Sequence, residues 1–104
     1  MSETLRRVQT LVLAGDYRVS DHGYEELRKD AILIGDVVAG ITTAELVKDY
    51  RTRDRVLAVQ YGADGRPIHV VWAISARRRQ AVLVTAYRPD RDLWDTDFKE
   101  RKKR

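Results

Sequence analysis

Three apolar runs decide the fold of this chain: Arg55-Val-Leu-Ala-Val-Gln-Tyr61, Arg66-Pro-Ile-His-Val-Val-Trp-Ala-Ile-Ser75 and Ala81-Val-Leu-Val-Thr-Ala-Tyr-Arg88. The runs are rich in β-branched and aromatic residues, and polar or turn-forming residues separate them. This composition predicts three consecutive antiparallel strands. Asp64-Gly65 lies between the first two runs and can supply the positive φ angles of a two-residue hairpin turn.

The lengths of the two turns predict which residues face each other. A two-residue turn at Asp64-Gly65 sets these pairs: Tyr61 with Ile68, Gln60 with His69, Val59 with Val70 and Leu57 with Trp72. A five-residue loop from Ala76 to Gln80 sets these pairs: Ser75 with Ala81, Ala73 with Leu83, Val71 with Thr85 and His69 with Tyr87. A four-residue second loop is the alternative, and it would put His69 opposite Ala86 or Arg88.

Side chains alternate between the two faces of a strand, so this register predicts what each face carries. The expected core face carries Ile68, Val70, Trp72, Ile74, Val82, Val84 and Ala86. The opposite face would group four polar side chains: Gln60, His69, Thr85 and Tyr87. This polar cluster on an otherwise apolar sheet is the first candidate for a functional site.

Weaker patterns around these runs complete the expected architecture. Apolar residues at helical spacing predict helices at 3–14, 21–29 and 34–41. Residues 17–20 are expected to be extended, 45–50 to form an edge strand, and 92–101 to form a turn or terminal helix. The register of strand 45–50 stays open, because placing Leu46 on the core face also places Lys48 there. The predicted fold class is α+β, with N-terminal helices packed on a four-stranded antiparallel sheet.

The composition fits a single domain over residues 1–104. The chain is 43% hydrophobic, and it has no apolar run of membrane-spanning length and no signal-peptide pattern, which predicts a soluble cytoplasmic protein. It lacks cysteine, and its only histidines are His22 and His69, so we expect no thiolate chemistry, no metal site and no cofactor. Glycine-rich phosphate loops and the GxSxG and HExxH patterns are absent.

The basic charge is concentrated at two points. From residue 1 to residue 98, 15 Lys and Arg balance 15 Asp and Glu, so the net charge of +4 arises in residues 99–104, a tail that is expected to be flexible. The basic residues of this tail are Lys99, Arg101, Lys102, Lys103 and Arg104. The second point is Arg77-Arg78-Arg79 in the second hairpin loop. Such groups attract RNA or an acidic protein, although a solvated tail and a solubilising hairpin tip would have the same composition.

Three motifs, followed by Trp94 and Asp97-Phe98-Lys99, resemble an uncharacterised bacterial domain-of-unknown-function family: Val19-Ser-Asp-His-Gly-Tyr-Glu-Glu-Leu27, Gly65-Arg-Pro-Ile-His-Val-Val71 and Val84-Thr-Ala-Tyr-Arg-Pro-Asp90. That family is grouped with the fold of RelE-type toxins and barnase-like ribonucleases. The resemblance implies helices followed by a four-stranded antiparallel sheet. The matching positions are His22, His69, Tyr87 and Arg88. Many relatives have Glu-Arg and a later Arg-Gly in the histidine helix, where this chain has Glu25-Glu26 and Asp30-Ala31, so two possible phosphate-binding arginines are acidic here.

Two functions compete on these observations. The first is a metal-independent endoribonuclease of toxin–antitoxin type, in which the 2′-hydroxyl of RNA attacks the adjacent phosphate. In that hypothesis His69 is the base or acid and Tyr87 orients or protonates. Arg88, with Arg78 or Arg79, stabilises the phosphorane charge. His22 is a second acid or base if its helix packs over the polar face of the sheet, since a helix N-terminus favours a neutral imidazole; otherwise it only packs or supplements the cap.

The second function is a noncatalytic module that binds RNA or an acidic protein partner, which would include an antitoxin. The residues expected to bind are Gln60, Thr85, Arg77, Arg78, Arg79 and the basic residues of the tail. A third possibility is that Gln60, His69 and Tyr87 only satisfy one another's hydrogen bonds in a half-buried sheet.

Overall fold

A computed structural model describes residues 2–102 of the chain. Its three α-helices are Glu3–Leu13 (α1), Asp21–Lys29 (α2) and Ile34–Ala39 (α3). Its five strands are Tyr17–Val19 (β1), Glu45–Tyr50 (β2), Arg55–Tyr61 (β3), Pro67–Ser75 (β4) and Gln80–Tyr87 (β5). Short 3-10 helices cover Gly40–Thr43 and Arg51–Arg53. The predicted α+β class and the positions of the helices are confirmed.

The five strands form one mixed sheet in the order β1-β5-β4-β3-β2. Strands β2 to β5 form an antiparallel meander, but β1 adds to the free edge of β5 in a parallel orientation, with Arg18 opposite Val82. The expected four-stranded antiparallel sheet was therefore incomplete. A strand of three residues is too short to show a periodic pattern in the sequence. β1 connects α1 to α2, and the packing of these two helices places it beside β5.

The first hairpin differs from the prediction by one residue. The chain turns through residues 62–66, where Gly62 N donates to the carbonyl of Arg66 at 3.1 Å, so Tyr61 pairs with Pro67 and Gln60 with Ile68. Gly65 has the positive φ expected of it, at 76°, but it belongs to a five-residue loop. A one-residue shift exchanges the faces of a whole strand, so β3 presents its other set of side chains to the core.

The second hairpin keeps its predicted register at one end only. His69 pairs with Tyr87 and Val71 with Thr85, as predicted, but a β-bulge follows and Trp72 pairs with Leu83. The loop has four residues, 76–79, and the bulge compensates for the missing fifth residue. Consequently Ala81 and Leu83 join the core with Ala86, and the predicted core positions of Val82 and Val84 were wrong.

A second bulge resolves the open register of β2. Leu46 pairs with Ala58 and Lys48 with Leu57, and the register shifts between Leu46 and Lys48. Leu46 packs against the core, whereas Lys48 is exposed and its Nζ lies 5.1 Å from the centre of the Tyr50 ring. The extra residue lets the strand bury its leucine without burying the neighbouring ammonium group.

The core lies between the helices and one face of the sheet. Apolar residues from α1, α2 and α3 pack there against strand residues, with Val8, Val37 and Trp72 fully buried. The side chains of Ser2 and Ser20 cap α1 and α2 by accepting from Leu5 N and Gly23 N at 3.1 and 3.0 Å. These caps fix where each helix begins and hence which residues it buries.

The other face of the sheet meets the C-terminal strap, residues 89–102. The strap consists of turns and is not the terminal helix that was one of the two alternatives. Asp95 N donates to the carbonyl of Glu100 at 2.8 Å and Lys102 N to the carbonyl of Leu93 at 2.9 Å, which folds the segment back on itself. No helix within residues 2–102 is long and apolar enough to cross a membrane.

Candidate functional site

His69 lies at the centre of a buried cluster on the strap side of the sheet. It is fully buried, and its Nδ1 lies 3.1 Å from the Tyr87 hydroxyl while its Nε2 lies 2.7 Å from the carbonyl oxygen of Phe98. The Trp94 ring meets the imidazole edge to face, at 4.5 Å between ring centres. The hairpin register brings Tyr87 to His69, and the strap brings Phe98 and Trp94.

The partners of the ring determine its protonation state. A carbonyl oxygen can only accept, so Nε2 carries the hydrogen, and in the neutral ring Nδ1 accepts from the Tyr87 hydroxyl. Burial lowers the pKa of His69 below its ordinary 6.5, and the bond to the Phe98 carbonyl only partly opposes this. Burial likewise raises the pKa of Tyr87 above 10.0. Both groups are thus neutral at pH 7, and both ring nitrogens are engaged within the protein.

Gln60 does not belong to this cluster, and its predicted grouping with His69 was wrong. The shifted register of β3 places Gln60 on the helix side of the sheet, fully buried. Its Nε2 donates to the carbonyl of Val37 at 2.7 Å and its Oε1 accepts from Trp72 Nε1 at 2.9 Å. Gln60 therefore ties α3 to the sheet. Thr85 does lie on the His69 face, half-buried beside Val71.

The two other catalytic candidates lie away from His69. His22 is on α2, in the helix layer across the sheet; its side chain is 61% exposed, with Nε2 3.7 Å from Glu26 Oε1. Arg88 holds the β3–β4 loop: its Nη1 donates to the carbonyls of Arg66 and Pro67 at 3.4 and 3.3 Å. Of the four predicted catalytic residues, only His69 and Tyr87 are in contact.

One end of the sheet collects arginines from two separate turns. The β2–β3 turn and the β4–β5 loop are neighbours there, because Ile74 N donates to the carbonyl of Asp54 at 2.9 Å. This arginine end comprises Arg51, Arg53, Arg55, Arg77, Arg78 and Arg79. Arg55 is half-buried and the other five are exposed, and Asp54 is the acidic residue between them.

Sequence reasoning found only half of the arginine end. Arg77 to Arg79 are consecutive, whereas Arg51, Arg53 and Arg55 alternate with other residues and lie more than 20 positions earlier. Arginine occupies every second position from 51 to 55, just before and at the start of β3, and this spacing is the local signal that could have identified them. A groove of about 560 Å³ extends the basic surface to α1, with Arg6 and Arg7 lining it opposite Arg79.

The basic residues of the tail are partly engaged by the protein itself. Lys99 Nζ lies 2.7 Å from Glu45 Oε2, which raises the pKa of this lysine, and the Arg101 guanidinium lies 5.5 Å from the centre of the Trp94 ring. Lys102 is exposed. Lys103 and Arg104, also expected to bind RNA or a partner, lie outside the described residues. Within residues 2–102 no group of acidic or histidine side chains could hold a metal ion.

The comparison with protein families matches residues 19–88 to the family described as Domain of unknown function (DUF4258). The chain belongs to this family. The DUF4258 range begins at the last residue of β1, holds β2 to β5, the His69–Tyr87 pair and the arginine end, and stops before the strap. Searches of curated proteins and of solved structures gave no match. The predicted membership of an uncharacterised domain family is thus confirmed, and the grouping with RelE and barnase stays a prediction.

Proposed function

We propose that this protein is a noncatalytic module that binds RNA through the arginine end of its sheet. The observation that carries the proposal is that two turns distant in sequence place six arginines at one end of the sheet, with Asp54 as the acidic residue of these turns. Guanidinium groups bind phosphate oxygens in a bidentate fashion and attract a polyanion over long distances. Five of the six side chains are exposed and available for such contacts.

The adjoining sheet face favours RNA over an acidic protein. On the strap side, a row of paired residues crosses the sheet beside the arginine end: Tyr50, Arg55, Ala73, Val82 and Arg18. Tyr50 is half-buried and Arg18 is exposed. In this row Tyr50 offers an aromatic ring on which an unpaired base can stack, and Arg18 at the far end offers a guanidinium group for a phosphate.

RNA cleavage is the second candidate function, and the His69–Tyr87 contact is the observation that favours it. It would give the protein the metal-independent, RelE- and barnase-like chemistry that the sequence resemblance implies. It also requires the strap to leave, since Phe98 and Trp94 occupy the space next to the imidazole. Binding at the arginine end requires no such change, which is why we rank it first.

The test measures binding and cleavage of a labelled mixed-sequence RNA in EDTA, at several salt concentrations. The double variant Arg51→Gln/Arg53→Gln is compared with the matched control Arg28→Gln/Lys29→Gln, which removes the same charge from the exposed side of α2. We expect intact RNA to bind, and the first variant to weaken binding and reduce the salt slope by roughly 0.7 per lost phosphate contact.

Three outcomes would decide against the proposal. Equal weakening in both double variants would mean that the arginine end has no special role. Cleavage that disappears in His69→Ala while that variant stays folded would establish the nuclease instead. The absence of any salt-sensitive RNA binding would direct the search to an acidic protein partner.

A further inference from the structure

A second basic cavity lies at the other end of the sheet, and its lining suggests a small ligand. It is a cleft of about 470 Å³ between the β3–β4 loop and the strap, within the size range of small-molecule sites. The lining residues with a polar or aromatic side chain are Tyr61, Arg66, Arg88, Arg91, Thr96 and Phe98. The nine residues of β4 separate it from the arginine end by roughly 30 Å, so the two basic surfaces are distinct.

The charges of the cleft favour an anion. Three guanidinium groups line it. Asp64 Oδ2 is 3.7 Å from Arg66 Nη1 and 4.0 Å from Arg88 Nη2, and the Asp30 carboxylate accepts from Arg88 N at 2.7 Å. The Arg88 side chain is 19% exposed and makes only long contacts, and its Nε is buried without a partner in the described structure. Arg91 is exposed, and no ion pair holds it within residues 2–102. The two exposed guanidinium groups, those of Arg66 and Arg91, are therefore the donors that can reach a doubly charged phosphate in the cleft.

The walls of the cleft favour a flat ring next to that phosphate. Tyr61 is 40% exposed and lines the cleft, and Phe98 lines the same space. Phe98 has a φ of 58°, a left-handed conformation that is rare for a bulky residue. Two hydrogen bonds hold it there: its carbonyl accepts from His69 Nε2 at 2.7 Å and its N–H donates to the carbonyl of Asp95 at 2.8 Å.

We infer that this cleft binds a nucleoside monophosphate, with the phosphate on Arg66 and Arg91 and the base against Tyr61 and Phe98. In this assignment His69 is a positioning residue, because its hydrogen bond fixes the backbone of Phe98 at the cleft wall. The inference does not depend on RNA binding at the arginine end. The ligand is either a free nucleotide or the phosphorylated terminal nucleotide of an RNA, since both present the same groups.

The test follows amide chemical shifts of the full ¹⁵N-labelled chain while 5′-AMP is added, with inorganic phosphate and adenosine as separate titrations. We expect AMP to shift the amides of Gly65, Thr96 and Phe98 in a saturable way, and each half-molecule to bind at least about tenfold more weakly. No saturable shift of these amides with AMP would overturn the inference. Phosphate alone saturating at the same concentration as AMP would also overturn it, because the aromatic walls would then have no role.

Variants separate this site from the arginine end. Arg91→Gln is expected to weaken AMP binding about tenfold and to leave the affinity for RNA with a 5′-hydroxyl end unchanged, and the matched Arg77→Gln is expected to leave AMP binding unchanged. If Arg77→Gln weakened AMP binding and Arg91→Gln did not, AMP would bind at the arginine end. That result would overturn the inference whether or not the arginine end binds RNA. Competition by a 5′-phosphorylated trinucleotide supports the site as one for RNA ends; AMP binding without such competition supports it as one for free nucleotides.

Discussion

Mild acid is expected to destabilise the fold through His69. In the native state burial holds the pKa of this imidazole below 6.5, whereas the unfolded chain titrates near that value. Above pH 6.5 both states are neutral, and the stabilising effect of the buried neutral ring is fully present. As the pH falls below 6.5, the unfolded state takes up a proton that the native state refuses, so the free energy of unfolding decreases.

The size of the effect follows from a single proton. Between 6.5 and the native pKa, the free energy of unfolding falls by up to about 1.4 kcal/mol per pH unit, and it levels off below the native pKa. Lys99, which pairs with Glu45 and follows Phe98 in the chain, has its pKa raised by that carboxylate, which moves its titration further above this range. The slope is therefore expected to come from His69 itself.

Urea unfolding measured at pH values from about 7.5 to about 5 provides the assay. The wild-type chain is compared with His69→Gln, which removes the titrating group, and with His22→Gln, which removes the exposed histidine of α2. We expect His69→Gln to be less stable at pH 7 and to lose most of the slope, and His22→Gln to keep it. A slope that survives in His69→Gln, or that disappears in His22→Gln, would refute the assignment of the buried neutral ring.

Two further predictions concern packing around the sheet and the strap. Gly23→Ala is expected to lower the free energy of unfolding by about 1–3 kcal/mol, because the added Cβ would lie 2.7 Å from the backbone oxygen of Leu83. Gly35→Ala is the control: its Cβ would have no neighbouring atom within 4 Å, so the free energy of unfolding is expected to stay the same or to increase. Urea denaturation of both variants checks this, and equal stabilities would contradict it. Trp94→Ala is expected to raise the pKa of His69 towards 6.5, because water would reach the imidazole where the Trp94 ring now covers it. NMR titration of the imidazole measures this pKa, and an unchanged value would show that the strap does not shield the ring.

Local sequence signals determined the elements of this protein. Serine caps and apolar spacing specified α1 and α2, and the β-branched runs specified β3, β4 and β5. The pairing of His69 with Tyr87 also followed from the sequence. That success was partly fortuitous, because the loop is one residue shorter than predicted and a bulge makes up the difference.

Tertiary contacts decided which face each strand presents and what lies over it. The Asp64-Gly65 pair signalled a tight turn, but a loop closed by Gly62 and Arg66 shifted β3 by one residue. That shift buries Gln60 where its amide satisfies Trp72 and Val37, partners that no local pattern identifies.

The candidate sites depend on contacts over longer distances still. The strap covers His69 through a backbone carbonyl, which carries no sequence signature, and the arginine end joins two turns separated by β3 and β4. Composition therefore determined that the chain is basic and which segments form strands. Only the closing of the sheet, which provides partners for buried polar side chains such as Gln60 and His69, determined where the basic groups meet and that the histidine is held neutral.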